Sequence, residues 1–169
     1  TFTAQVDSSI GGKVGVNHNQ TINAIGTYHH PRTILIDIKF LQNLPEREFK
    51  SGMGEVIKSA IIKDREFCQF LLENSQAIMN RDPAMLLDIV KRTILIKLAH
   101  VQNDVREKGI RLHLNYGHTI GQSIEMSVGR KTEVYRHGEA VCLGMMAAAH
   151  LADNYYNDGL NRVEFHREL

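Results

Sequence analysis

The sequence predicts a mainly α-helical protein whose first 38 residues form the tail of an α/β unit. Three observations carry this reading. From Phe40 onward, apolar residues recur every three or four positions, the period of a helix that buries one face. Two signals, Pro45-Glu46-Arg47-Glu48 and Asp82-Pro83, mark helix starts, where a missing proline amide costs nothing and acids suit the dipole. A glycine turn and a β-branched run, by contrast, are confined to the opening residues.

In order along the chain, Ser8-Ser9-Ile10-Gly11-Gly12-Lys13 reads as a small turn, residues 14–16 as a short strand and 17–21 as a polar loop. The run Thr33-Ile34-Leu35-Ile36-Asp37 reads as a buried strand, with Pro31 just before it. Residues 51–63 continue the helix begun at Pro45, with Val56, Ile57, Ala60 and Ile61 at core spacing. One amphipathic stretch covers 64–79. The next helix runs over 84–104, with Leu86, Leu87, Val90, Ile94 and Leu98 apolar, before a break at Lys108-Gly109. A short helix over 117–128 precedes a long one over 138–156, apolar on most faces and so central to the bundle. The expectation is an α/β tail over 1–38 and an all-α domain of about five or six helices over 39–169.

Hydrophobic residues make up 43% of the 169, enough for a packed core. Lys and Arg total 20 against 19 acids, and a net charge of +1 gives no case for nucleic acid or an anionic membrane as partner. Cys68 and Cys142 lie far apart and fit buried thiols in a reducing compartment. No secretory signal opens the chain, and its most apolar stretch, 140–152, is too short to span a bilayer. The expected location is the cytoplasm. With no initiator Met, the chain reads as an excerpt of something longer.

Candidate chemistry falls in two groups. Glu55, His118 and His137 are candidate metal ligands: one carboxylate and two imidazoles make a common catalytic zinc set that leaves a position open for substrate. Gly117 and Gly138 beside the histidines allow close approach. Each of the three taken alone is as readily a surface or capping residue. The second group is the cations Lys13, Lys58, Lys97 and Arg111. Lys58, three residues after Glu55, shares its helix face. Lys97 and Arg111 sit among apolar neighbours, as snorkelling side chains do; together with a metal they would suit a polyanionic substrate. Asp7 and Asn115 could hold substrate hydroxyls or serve as caps. Asp104, Arg106 and Glu107 read as a solvated charged loop.

Several motifs in order resemble the 3-dehydroquinate synthase family, of the sugar-phosphate cyclase superfamily. They are Ala4-Gln5-Val6-Asp7-Ser8-Ser9-Ile10-Gly11-Gly12-Lys13, Leu44-Pro45-Glu46-Arg47-Glu48, Ser51-Gly52-Met53-Gly54-Glu55-Val56-Ile57-Lys58, Leu114-Asn115-Tyr116-Gly117-His118-Thr119-Ile120-Gly121 and His137-Gly138-Glu139-Ala140-Val141. The resemblance implies a helical, metal-binding C-terminal part preceded by the edge of a Rossmann-like NAD-binding domain. It implies zinc or cobalt on Glu55, His118 and His137, and a substrate pocket built from Asp7, Lys13, Lys58, Lys97, Arg111, Asn115 and Asn23. It implies NAD contacts at Lys13, Phe40, Leu41, Gln42 and Asn43. The activity implied is a phosphate-eliminating lyase of the shikimate pathway, acting in aromatic amino acid biosynthesis as a cytoplasmic homodimer. Its substrate is a sugar acid phosphate, 3-deoxy-D-arabino-heptulosonate 7-phosphate, converted to 3-dehydroquinate.

There are departures from the family pattern. Ile22 replaces a lysine, Gln122 a pocket histidine and Val105 a glutamate, and two extra residues lie within 131–136. The glycine-rich NAD-binding portion and a C-terminal lysine segment are not among residues 1–169. Two other readings therefore stand beside the leading one: a related cyclase with another seven-carbon substrate, and an inactive fragment or paralogue.

Overall fold

The computed structural model describes residues 1–19, 21–127 and 134–169. Among these are eight helices and one two-stranded sheet. After a π-helical turn (Ala4–Ser8), β1 (Lys13–His18) pairs antiparallel with β2 (Thr21–Tyr28), with Val16 opposite Ile25 and a bulge before His18. Then come α1 (Lys39–Gln42), α2 (Glu46–Lys63), α3 (Arg65–Glu73), α4 (Ser75–Met79) and α5 (Pro83–Asn103). A 3-10 turn (Ile110–Asn115) leads to α6 (His118–Ser127), α7 (His137–Tyr156) and α8 (Arg162–Glu168).

The helix starts follow the sequence signals. Pro45 is the N-cap of α2. Asp82 caps α5 by accepting from the amides of Ala84 at 2.9 Å and Met85 at 3.1 Å, a bond worth about 1 kcal/mol. The helix count exceeds the expected five or six because 64–79 divides and because the short helices α1 and α8 fall outside the expected stretches. Asp64 leaves helical geometry to cap α3, accepting from Phe67 N at 2.9 Å, and Asn74 separates α3 from α4.

The core lies where α2, α3 and α5 meet. Phe49, Val56, Ala60, Phe67, Leu86 and Ile89 are fully buried there. Each large side chain among them contributes about 1.5–3 kcal/mol. Of the apolar positions expected on α5, Leu86 and Val90 are buried, Ile94 and Leu98 half-buried, and Leu87 faces out. The opening segment joins this core: Phe2 stacks on Phe49 at 5.0 Å between centroids, and Val6 is fully buried.

Two expectations near the start fail. Residues 33–37 form no strand, and Leu35 is 92% exposed. A β-branched run needs a neighbouring strand to satisfy its backbone, and none among the described residues pairs with it. The loop expected over 17–21 is shorter, since β1 extends to His18 and β2 begins at Thr21. Gln20 and Val128 lie outside the described residues, as does most of the insertion expected within 131–136.

Helix α7 packs against α2, α6 and α8. A Cβ at Gly138 would sit 1.7 Å from the Ser51 carbonyl of α2, and one at Gly144 would sit 1.9 Å from the Gly117 carbonyl. Only glycine permits these approaches. They bring the start of α7, the middle of α2 and the start of α6 to one point.

Candidate metal centre and cleft

That point carries Glu55 from α2, His118 from the first turn of α6 and His137 from the first turn of α7. One ligand atom from each lies within 4.8 Å of the other two. Glu55 Oε1 is 3.1 Å from His137 Nε2 and 3.6 Å from His118 Nε2. Ligands held about 2.1 Å from a tetrahedral ion stand about 3.4 Å apart, so these separations fit a zinc-sized cation. The buried Oε1 has no well-directed hydrogen bond. An orphaned carboxylate oxygen facing two imidazole nitrogens is a donor set that a divalent ion would satisfy.

The two rings are oriented from behind. His118 Nδ1 faces the Tyr116 carbonyl at 3.3 Å, and His137 Nδ1 faces Glu125 Oε2 at 3.1 Å. Burial and the Lys58 ammonium hold His118 below the usual histidine pKa, so it is neutral at pH 7. The hydrogen bond to Glu125 and the close Glu55 carboxylate push His137 up to about 10. Burial opposes ionisation of Glu55. Lys58, His137 and His118 outweigh it and hold the carboxyl well below the ordinary range.

A cleft of about 390 Å³ opens in front of this centre. Lys13, Lys58, Lys97, Arg111, Asp7, Asn23, Asn115, His118 and His137 all line it, so the structure gathers almost every residue singled out in the sequence. Lys58, Lys97 and Arg111 do not snorkel. Their exposures are 1%, 6% and 2%, because the segments around them fold over the cleft. Lys58 pairs with Glu55 through Oε2. Lys97 Nζ pairs with Asp7 Oδ1 at 2.6 Å, and burial lowers its pKa despite that partner. Arg111 donates to the carbonyls of Val105 at 2.7 Å and Gly11 at 2.8 Å, tying the helical part to the turn before β1.

The charged loop is not simply solvated. Glu107, in left-handed geometry at φ 56°, points into the cleft, pairs with Lys13 and accepts from Asn115 Nδ2 at 2.8 Å. Asp104 accepts from the amides of Lys108, Gly109 and Arg111 and so holds the loop's shape. Glu125 is the residue that sequence reasoning missed. It lies seven positions after His118, as Gln122 lies four, so the three share one face of α6. That stripe was available in the sequence.

Phe40, Leu41, Gln42 and Asn43 do not line the cleft. Leu41 is buried in the helical core, Phe40 is 73% exposed, and the Gln42 carbonyl accepts from Arg81 at 2.5 Å. The Ile22 side chain lies outside the described residues. Cys68 is buried and Cys142 half-buried, both as free thiols. Among the described residues no helix is long and apolar enough to cross a membrane.

The fold that carries this cleft is shared with solved sugar-phosphate cyclases. Over 99% of this chain it superposes on a 2-epi-5-epi-valiolone synthase from Streptomyces hygroscopicus subsp. jinggangensis, solved with NAD+ and Zn2+ bound, at TM-score 0.87 and 31% identity, covering 48% of that chain. A 2-deoxy-scyllo-inosose synthase, complexed with carbaglucose-6-phosphate, NAD+ and Co2+, matches with the same TM-score and identity over 45% of its length. Within that class the chain belongs to the 3-dehydroquinate synthase family: residues 52–167 match the family's C-terminal model and residues 1–51 its N-terminal model. It is 49% identical over 152 residues to the 3-dehydroquinate synthase of Syntrophotalea carbinolica, covering 90% of this chain and 41% of that one. It is 46% identical over 168 residues to that of Desulforamulus reducens, covering 99% and 45%. The chain thus spans less than half the length of these curated relatives.

Proposed function

We propose that this chain is the metal- and substrate-binding part of a 3-dehydroquinate synthase, an NAD-dependent lyase converting 3-deoxy-D-arabino-heptulosonate 7-phosphate to 3-dehydroquinate and phosphate. The observation that carries the reading is the convergence of Glu55, His118 and His137 at the end of a cleft holding four cationic side chains. Zinc or cobalt would be held by those three residues and would polarise the oxygen of the alcohol whose carbon gives hydride to NAD and later regains it. Lys58 keeps Glu55 ionised, and burial keeps His118 neutral, the states that ligation needs.

In this reading Lys13, Lys97, Arg111, Asn115 and Asn23 bind phosphate and carboxylate, and Asp7 orients a hydroxyl while holding Lys97 in place. The relatives named as this synthase at 44–49% identity support that substrate. Residues 1–38 are then the edge of the NAD-binding domain and 39–169 the catalytic domain. In the intact protein Phe40, Leu41, Gln42 and Asn43 would contact NAD, and Lys13 would contribute to the same site. The protein acts in the cytoplasm as a homodimer.

A related cyclase with another seven-carbon substrate is the second reading. Gln122 favours it: it lines the cleft, yet an amide cannot exchange protons near neutral pH.

The test is phosphate release by the intact protein with NAD, zinc and the seven-carbon keto acid phosphate, with a chelator control. Metal- and NAD-dependent release with dehydroquinate as product is expected. Glu55→Ala and His137→Ala should lose bound metal and turnover together, and full turnover by a metal-free His137→Ala protein would refute the ligand set.

A further inference from the structure

Glu125 belongs to no motif of the family resemblance, yet it makes the best-defined contact behind the metal centre. It lies on α6 two turns beyond His118, and its Oε2 is 3.1 Å from His137 Nδ1. The opposite ring nitrogen, Nε2, is 3.1 Å from Glu55 Oε1. His137 therefore stands between two carboxylates, one in the ligand set and one behind it.

The two imidazoles are not held alike. His118 is the more enclosed, with 13% of its side chain exposed, and its Nδ1 partner is a neutral backbone carbonyl at 3.3 Å. His137 is 37% exposed, although both histidines open their helices. The more exposed ring is the one given a charged partner.

We propose that Glu125 is the positioning residue of the metal centre. It accepts the Nδ1 proton of His137, which fixes the tautomer, aims the Nε2 lone pair at the ion and raises the ring's basicity. The inference rests on Glu55, His118 and His137 being the metal ligands. It adds a fourth residue, one that acts on the ion through His137.

The experiment is zinc titration of the intact, chelator-stripped protein against a chromophoric chelator. It compares wild type, Glu125→Ala, Glu125→Gln and His137→Ala, with the visible spectrum of each Co2+-loaded form recorded in parallel. Glu125→Ala should bind zinc about 10- to 100-fold more weakly and shift the Co2+ bands. Glu125→Gln keeps the volume and an acceptor oxygen but not the charge, so it should fall between wild type and alanine. The glutamine variant also carries the test if the alanine protein fails to fold.

Wild-type affinity and an unshifted Co2+ spectrum in the Glu125 variants, with zinc lost in His137→Ala, would overturn the role of Glu125 and leave the ligand set standing. Wild-type protein that binds zinc no better than His137→Ala would overturn the ligand set itself, and Glu125's role with it.

Discussion

Replacing Gly138 by alanine should damage fold and metal centre together, and the structure sets the scale. In an exposed helix interior, Gly to Ala gains about 1 kcal/mol. At Gly138 the added methyl would lie 1.7 Å from the Ser51 carbonyl oxygen. A comfortable carbon–oxygen contact is about 3.2 Å or more, so α7 would have to retreat from α2 by roughly 1.5 Å. The obstacle is backbone, not the end of a flexible side chain. The Gly138 amide also donates to Ser51 Oγ at 3.1 Å, a bond the retreat would break. Overpacking of this kind costs about 1–3 kcal/mol, and a lost buried hydrogen bond about 1 kcal/mol more. After the helix-propensity gain, a net loss of about 1–3 kcal/mol remains, a melting temperature lower by about 2–12 °C for a chain of this size. Because His137 is the adjacent residue and Glu55 lies on α2, zinc affinity should fall as well. Thermal unfolding with and without chelator, together with a zinc titration, reads both effects. A variant that melts at or above the wild-type temperature and binds zinc as tightly would refute the claim that this helix contact builds the site.

Three further outcomes are expected. Lys58→Met leaves the Glu55 carboxylate buried without its ammonium, and should cost about 3–5 kcal/mol in a urea unfolding experiment with chelator present. Added zinc should recover part of that loss, and equal stability with and without Lys58 would show that the pair does not hold Glu55 charged. Burial pushes the thiols of Cys68 and Cys142 up to about 11. At pH 8 only on the order of one in a thousand would be thiolate, so both should resist iodoacetamide in the native protein and react fully in urea, as mass spectrometry would show. Gln122→His should raise phosphate release from the seven-carbon keto acid phosphate if that substrate is the native one; a fall would favour the second cyclase reading.

What the sequence revealed was local. Pro45 and Asp82-Pro83 mark helix starts through chemistry contained in one turn, and both stand where expected. Glu55 and Lys58 share a face because helical periodicity places them there. The expectations that failed depend on distant partners. The run at 33–37 has strand-like side chains, but pairing is decided elsewhere in the chain. Lys97 and Arg111 look like snorkelling residues on a linear reading, since nothing nearby shows that Asp7, Gly11 and Val105 fold over them. Glu107 looked solvated for the same reason: its partners Lys13 and Asn115 come from two different segments. Glu125 is a different kind of miss. Its seven-residue offset from His118 was visible, but its partner His137 belongs to the next helix, so the offset alone gave it no role.

The buried charges argue that this region is shaped by ligand rather than by stability. Lys13, Lys58, Lys97 and Arg111 face Asp7, Glu55, Glu107 and Glu125 around the cleft, so its lysine and arginine side chains match its carboxylates in number. An apolar substitute for a pair such as Lys58 and Glu55 would often make a protein equally or more stable, because desolvating two charges offsets much of their attraction. A fold under no other demand would have little reason to bury Lys58, Lys97, Arg111 and Glu55 around one cleft. A divalent ion on Glu55, His118 and His137 changes the balance. The cleft then carries a net positive charge, and the cations now paired internally become available to the phosphate and carboxylate of a substrate. On that view the internal pairs are resting partners, and metal loading should itself strengthen the binding of anions in the cleft.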